Sequence, residues 1–113
     1  MSVSSSDENA GELFSYLSTL DYEKVDSYFL SYAADGKAYE IAVVALRDAA
    51  DLSTLVETLN AHVQGRVDLY KTYAPEQVQQ AEAAEIVSMG RYVALIMCDE
   101  RAAVKAAFAA GIQ

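Results

Sequence analysis

"VDSYFLSYAADGKAYEIAVVALRD", residues 25–48, holds two strand-like runs around Asp35-Gly36. An Asp-Gly pair between apolar runs is a hairpin signal, because the turn needs a positive φ that glycine adopts freely. Strands are expected at about 25–34 and 37–46. Tyr28, Leu30 and Tyr32 share one face of the first, and Phe29, Ser31 and Ala33 share the other. On the second, Tyr39, Ile41, Val43 and Ala45 oppose Glu40, Ala42, Val44 and Leu46. Both faces are apolar, so both need cover, from helices on either side or from a partner.

Working outward, residues 49–73 have apolar positions Leu52, Leu55, Val56, Leu59, Val63, Val67 and Tyr70 at steps of three and four, which predicts the longest helix. Asp48 or Asp51 suits its positive N-terminal end, and Pro75 stops it. Gly65 interrupts the helix interior, marking close packing or a bend. "PEQVQQAEAAE" reads as a short helical turn or link. A second hairpin follows, Ile86–Ser88 and Tyr92–Cys98 with Gly90 in the turn. Tyr92, Ala94, Ile96 and Cys98 share one face of its second strand. Asp99 to about Ala110 is an Ala-rich helix with Val104 and Phe108 on one side. Upstream, Asn9 and Glu12 have capping-box spacing before a helix carrying Leu13, Phe14, Leu17 and Leu20. Residues 1–8, "MSVSSSDE", read as a flexible polar tether, leaving 9–113 as one domain. The expected fold is α+β, a mainly antiparallel four-stranded sheet from two hairpins with three helices, in the order α-β-β-α-β-β-α.

At 113 residues and 53% hydrophobic content, the chain can bury one sizeable core without disulfides or metal. No run reaches the roughly 18 apolar residues of a membrane span, and the Ser-rich lead has no signal-peptide pattern. A net charge of −9, with no basic cluster, sets direct nucleic-acid binding aside.

The chemical motifs are sparse. Cys98, the single cysteine, ends a strand-like run, and Asp99 and Glu100 read as a helix cap and a first-turn acid. A nucleophilic Cys98 would need His62, the single histidine, as its base. One cysteine and one histidine are no metal motif, and there is no Walker loop, GxGxxG, calcium loop or GxSxG elbow. No catalytic, metal or cofactor residue is assigned. Eight tyrosines without tryptophan direct attention to the sheet. Tyr28, Tyr32, Tyr39, Glu40 and Tyr92 form the candidate interaction surface, in a homodimer or against a ligand. Glu40 interrupts an apolar strand, which an edge or solvent-facing position would explain most simply.

From about Gly11 to Phe108 the chain resembles a family of predicted lipoproteins from Gram-positive (Firmicutes) bacteria, known as domain of unknown function 4358. The resemblance rests on "AYEIAVVALRDAADLSTLVETL", "YKTYAPEQ" and "AEIVSMGRYVALIMCDE", within which Glu40 to Val43, Tyr73 to Glu76 and Gly90 to Val93 carry the pattern. It supplies no active-site residues. It implies an extracytoplasmic setting: a signal peptide, a lipid-modified cysteine, a polar tether and then this domain, with the anchor absent here because no cysteine precedes Cys98. The leading expectation is a non-enzymatic, lipid-anchored binding domain for a protein, envelope component or small solute. The alternatives are a small enzyme using acidic residues, Glu40 first among them, and a cytosolic dimeric interaction module.

Overall fold

The protein, described by a computed structural model at residues 2–33, 35 and 37–112, is an α+β domain. Its strands are β1 (Ser2–Ser4), β2 (Val25–Tyr32), β3 (Glu40–Leu46), β4 (Glu85–Met89) and β5 (Tyr92–Met97). They form one antiparallel sheet in the order β1-β2-β3-β5-β4. The helices are α1 (Ala10–Phe14), α2 (Leu52–Tyr73), α3 (Val78–Glu82) and α4 (Arg101–Ile112), with 3₁₀ turns at Tyr22–Lys24, Ala49–Asp51 and Pro75–Gln77.

Both hairpins are present, and the first crosses Ala34 and Gly36, where the Asp35-Gly36 turn falls partly outside the described residues. At the second, Gly90 has φ +59, the left-handed conformation that glycine adopts without a Cβ clash. The sheet has five strands among the described residues, correcting the expected four. Ser2–Ser4 pairs with β2, Val3 opposite Leu30, and Val3 is buried. The lead is therefore built into the sheet at this point. Alternation of two serines around one valine is a strand pattern too short to separate from a polar tether by composition.

Among the described residues there are four helices, not three, because the Pro75 link continues into α3. The first helix is shorter than its apolar spacing suggests: it ends at Phe14, and Asn9 makes no side-chain cap. Phe14, Leu17 and Leu20 are nonetheless all buried, so the pattern marked core positions correctly while misjudging the backbone. A Cβ on Gly11 would lie 3.2 Å from the Tyr22 ring, which explains how α1 settles against that ring. Asp48 opens the approach to α2 by accepting from Ala50 N–H at 2.9 Å, while Asp51 pairs with Lys24 at 3.2 Å. At the other end α4 starts at Arg101, and Glu100, not Asp99, supplies the carbonyl that accepts from Val104 N–H.

Helices cover both sheet faces. Tyr28, Leu30, Ala42, Val44, Leu46, Val93 and Leu95 pack with Phe14 and Leu17 and with Leu55 and Leu59 of α2 in the main core. On the opposite face Ala94, Ile96 and Cys98 pack with Phe108 of α4. This division answers the apolar pattern on both sides of β3 and β5. In β5, Val93 and Leu95 pack toward α2 while Ala94 and Ile96 pack toward α4; in β3, Ala42, Val44 and Leu46 are buried on the α2 side and Ile41 and Val43 are half-buried on the other.

Candidate functional site

Glu40 is the first residue of β3, and β3 lies in the middle of the sheet, between β2 and β5. Its neighbours across the ladder are Tyr32 and Met97. The side chain is buried, which corrects the edge or solvent-facing expectation. Burial of a carboxylate in a strand requires polar partners, and α2 provides them. His62, Arg66 and Tyr70 recur every four residues, one above another along one side of that helix.

Their contacts form a chain. His62 Nε2 lies 3.0 Å from Glu40 Oε1 and 3.2 Å from Oε2. Because a carboxylate only accepts, Nε2 is the protonated ring nitrogen and donates to both oxygens. Arg66 Nε is 3.8 Å from Glu40 Oε2, near enough for charge attraction but too long for a hydrogen bond. That Nε is buried without a hydrogen-bond partner. Arg66 Nη2 donates to the Tyr70 hydroxyl at 2.7 Å, and its guanidinium carbon sits 4.9 Å from the Tyr70 ring centre. The Tyr70 hydroxyl donates onward to Lys37 C=O at 3.1 Å.

The segment entering β3 is held from a second side. Pro75 turns the chain out of α2 so that Gln77 accepts from Ala38 N–H at 2.8 Å and Gln80 donates to Ala38 C=O. Ala38 is fully buried with Val67, Tyr70, Ala81 and Met97. Gln77 and Gln80 thus fix the backbone two residues before Glu40. Sequence reading passed over both glutamines, since a "PEQVQQ" stretch carries no periodic signal for contacts 39 and 42 positions away.

Above these groups lies an open cleft of about 890 Å³. It is lined by the polar groups Glu40, His62, Arg66 and Lys37 and by Tyr16, Tyr32, Tyr39, Gly65 and Leu69, with Val3, Leu13, Leu30 and Ala33 completing it. A smaller cleft of about 580 Å³ adjoins it along α2, with Tyr16 and His62 common to both. A volume of this order suits a small organic ligand. Gly65 has no packing reason to be glycine: a Cβ there would meet nothing within 4 Å, contrary to the close-packing expectation.

Of the five candidate surface residues, the structure brings Tyr32, Tyr39 and Glu40 to this cleft. Tyr28 is a correction: it is 4% exposed, its hydroxyl donates to Ala10 C=O at 2.7 Å, and its ring meets those of Phe14 and Tyr22. Burial, then the neighbouring Tyr22 and Asp7, pushes its phenol up to about 12. Tyr92 lies apart, half-buried with the cluster beneath α4. His62 and Arg66 were the functional residues missed as a group. Their four-residue spacing toward a lone strand carboxylate was the available signal.

Cys98 is buried beside Ala94, Ile96 and Phe108, on the sheet face opposite His62. The sheet separates them, so no Cys–His dyad forms. No metal-type cluster of three or more His, Cys, Asp or Glu occurs among the described residues. No helix among them is long and apolar enough to cross a membrane.

A family model described as Domain of unknown function (DUF4358) matches residues 2–98. The chain belongs to that family. The stretch matched to DUF4358 includes all five strands and the whole Glu40–His62–Arg66–Tyr70 chain, and stops before α4. Neither the curated proteins nor the solved structures compared with this DUF4358 domain give a match.

Proposed function

We propose that this domain is a non-enzymatic binding module whose ligand enters the cleft over Glu40. The observation that carries the reading is a buried carboxylate held by His62 and Arg66 in the lining of an open, tyrosine-lined cavity. Such a group is rigid, polar and partly neutralised, and the surrounding tyrosines offer flat apolar area with hydroxyls for orientation. The domain is displayed outside the membrane on a lipid anchor, as the lipoprotein resemblance implies. The intact mass of the native protein tests the setting. A membrane-bound form with a diacylglycerol-modified N-terminal cysteine fits it, and an unmodified soluble form starting near Met1 overturns it.

A small acid-dependent enzyme is the second reading, favoured by one specific contact. Glu40 engages His62 Nε2, leaving Nδ1 with no protein hydrogen bond among the described residues. A carboxylate-oriented imidazole at a cleft is an arrangement used in general base chemistry. Ligand-observed NMR with a fragment library separates the readings. Fragments that bind, are competed from the cleft and are recovered chemically unchanged fit the binding module. Conversion of a bound fragment, lost in Glu40→Gln and His62→Ala, overturns it in favour of catalysis.

A further inference from the structure

We propose that the cleft takes a small amphipathic anion, a molecule with an apolar or aromatic body and one carboxylate or phosphate head. This rests on the reading of the cleft as a binding site and adds the chemical class of its ligand.

Charge is the first argument. The whole chain carries −9, yet the lining of this cleft sets Lys37 and Arg66 against a single acid, Glu40, with Asp35 outside the lining and 3.8 Å from Lys37. Low-dielectric walls concentrate such a local reversal of sign. The Arg66 side chain is one-third exposed; Nε faces Glu40 and Nη2 holds Tyr70, which leaves the Nη1 edge of the guanidinium to meet an oxyanion. Glu40 and Tyr70 hold that guanidinium in place before any ligand arrives.

Apolar surface is the second. Among the described residues, Tyr16, Tyr39 and Leu69 are three of the five exposed large hydrophobics, and all three border this cleft. Scattered exposed hydrophobics need no explanation, but their concentration around one cavity does. They supply a wall for the body of a ligand whose head meets the cations.

Gly65 is the third. It stands on the cleft side of α2, one residue from Arg66, within a helix of 22 residues. The space where its side chain would be is open, so glycine there serves neither a turn nor internal packing. It leaves the α2 backbone bare beneath the cavity, which lets a flat ligand body lie close to the helix.

The test uses four probes sharing a phenyl body: 3-phenylpropionate, phenyl phosphate, the neutral 3-phenylpropanamide and the cationic 3-phenylpropylamine. Each is titrated into the ¹⁵N-labelled domain, with Gly65→Leu and Gly65→Ala run alongside. The expected result is movement of the Tyr39, His62, Gly65 and Leu69 amides by the anions, at least tenfold more tightly than by the amide or the amine. The tighter of the two anions identifies the head as carboxylate or phosphate. Gly65→Leu abolishes those shifts while its melting temperature stays at or above that of the parent, and Gly65→Ala checks that a side chain there is tolerated by the fold. Amide or amine binding as tight as the anions, at the same amides, overturns the anionic class while leaving the cleft a binding site. Failure of every probe to move any cleft amide counts against both.

Discussion

Glu40→Gln removes a charge and almost no volume, so its effect isolates the electrostatic link between β3 and α2. In the parent the carboxylate accepts from His62 Nε2 at 3.0 and 3.2 Å and faces Arg66 Nε at 3.8 Å. The glutamine amide retains one acceptor but turns an NH₂ toward either the His62 donor or the Arg66 donor. Hydrogen bonds to charged groups contribute about 1.5–3 kcal/mol, and breaking a fully buried pair costs about 3–5 kcal/mol. The Glu40 and His62 side chains keep 11% and 14% exposure, so water softens the loss. That places the destabilisation near the lower range, about 2 kcal/mol. For a domain of this size it lowers Tm by about 8 °C. Urea unfolding followed by circular dichroism should show a lower midpoint with an unchanged m-value. A double-mutant cycle with His62→Ala should return a coupling of about 1 kcal/mol. A loss under about 0.5 kcal/mol, typical of a surface substitution, would refute the claim that this pair fastens the start of β3 to α2.

Three further outcomes are expected. Tyr28 is held neutral in the fold, with its phenol pushed from 10 up to about 12. Its contribution is fully present below pH 10 and is lost as pH climbs through 12; Tyr28→Phe, compared with the parent by urea unfolding across pH 7–12, should be less stable at neutral pH by about 1 kcal/mol yet lack that alkaline loss. Gly65→Ala should raise stability by up to about 1 kcal/mol, because the added methyl meets nothing within 4 Å; a loss of melting temperature would contradict that open space. Cys98, 3% exposed, should react with a thiol-specific chromogenic disulfide only on unfolding, and rapid labelling of the native protein would place the thiol wrongly.

The hairpins, the long helix and the stop at Pro75 were legible because each has a local cause: a turn glycine, a three-four repeat, a missing N–H. Element length was less legible where burial and backbone diverge. Leu17 and Leu20 are core residues beyond the end of α1, so apolar spacing extended the helix past its hydrogen bonds. Ser2–Ser4 shows the opposite case, a strand whose one buried side chain, Val3, is outweighed by its serines. At the site, Glu40 stood out in the sequence as an acid among apolar neighbours. What gave it meaning did not, because His62 and Arg66 lie more than 20 positions away and meet it only when α2 crosses the sheet. Tyr28, Tyr32, Tyr39 and Tyr92 looked alike in sequence. The path of α1 buries the first, and α4 shelters the last.

The most direct measurement is an amide chemical-shift map of the ¹⁵N-labelled domain on addition of a library of small organic molecules. The account predicts shifts centred on Tyr39, His62, Gly65, Arg66 and Leu69, around the cleft over Glu40. Shifts centred instead on Phe29, Val43 and Phe108, with the cleft amides unmoved, would contradict it and move the binding surface to the face beneath α4.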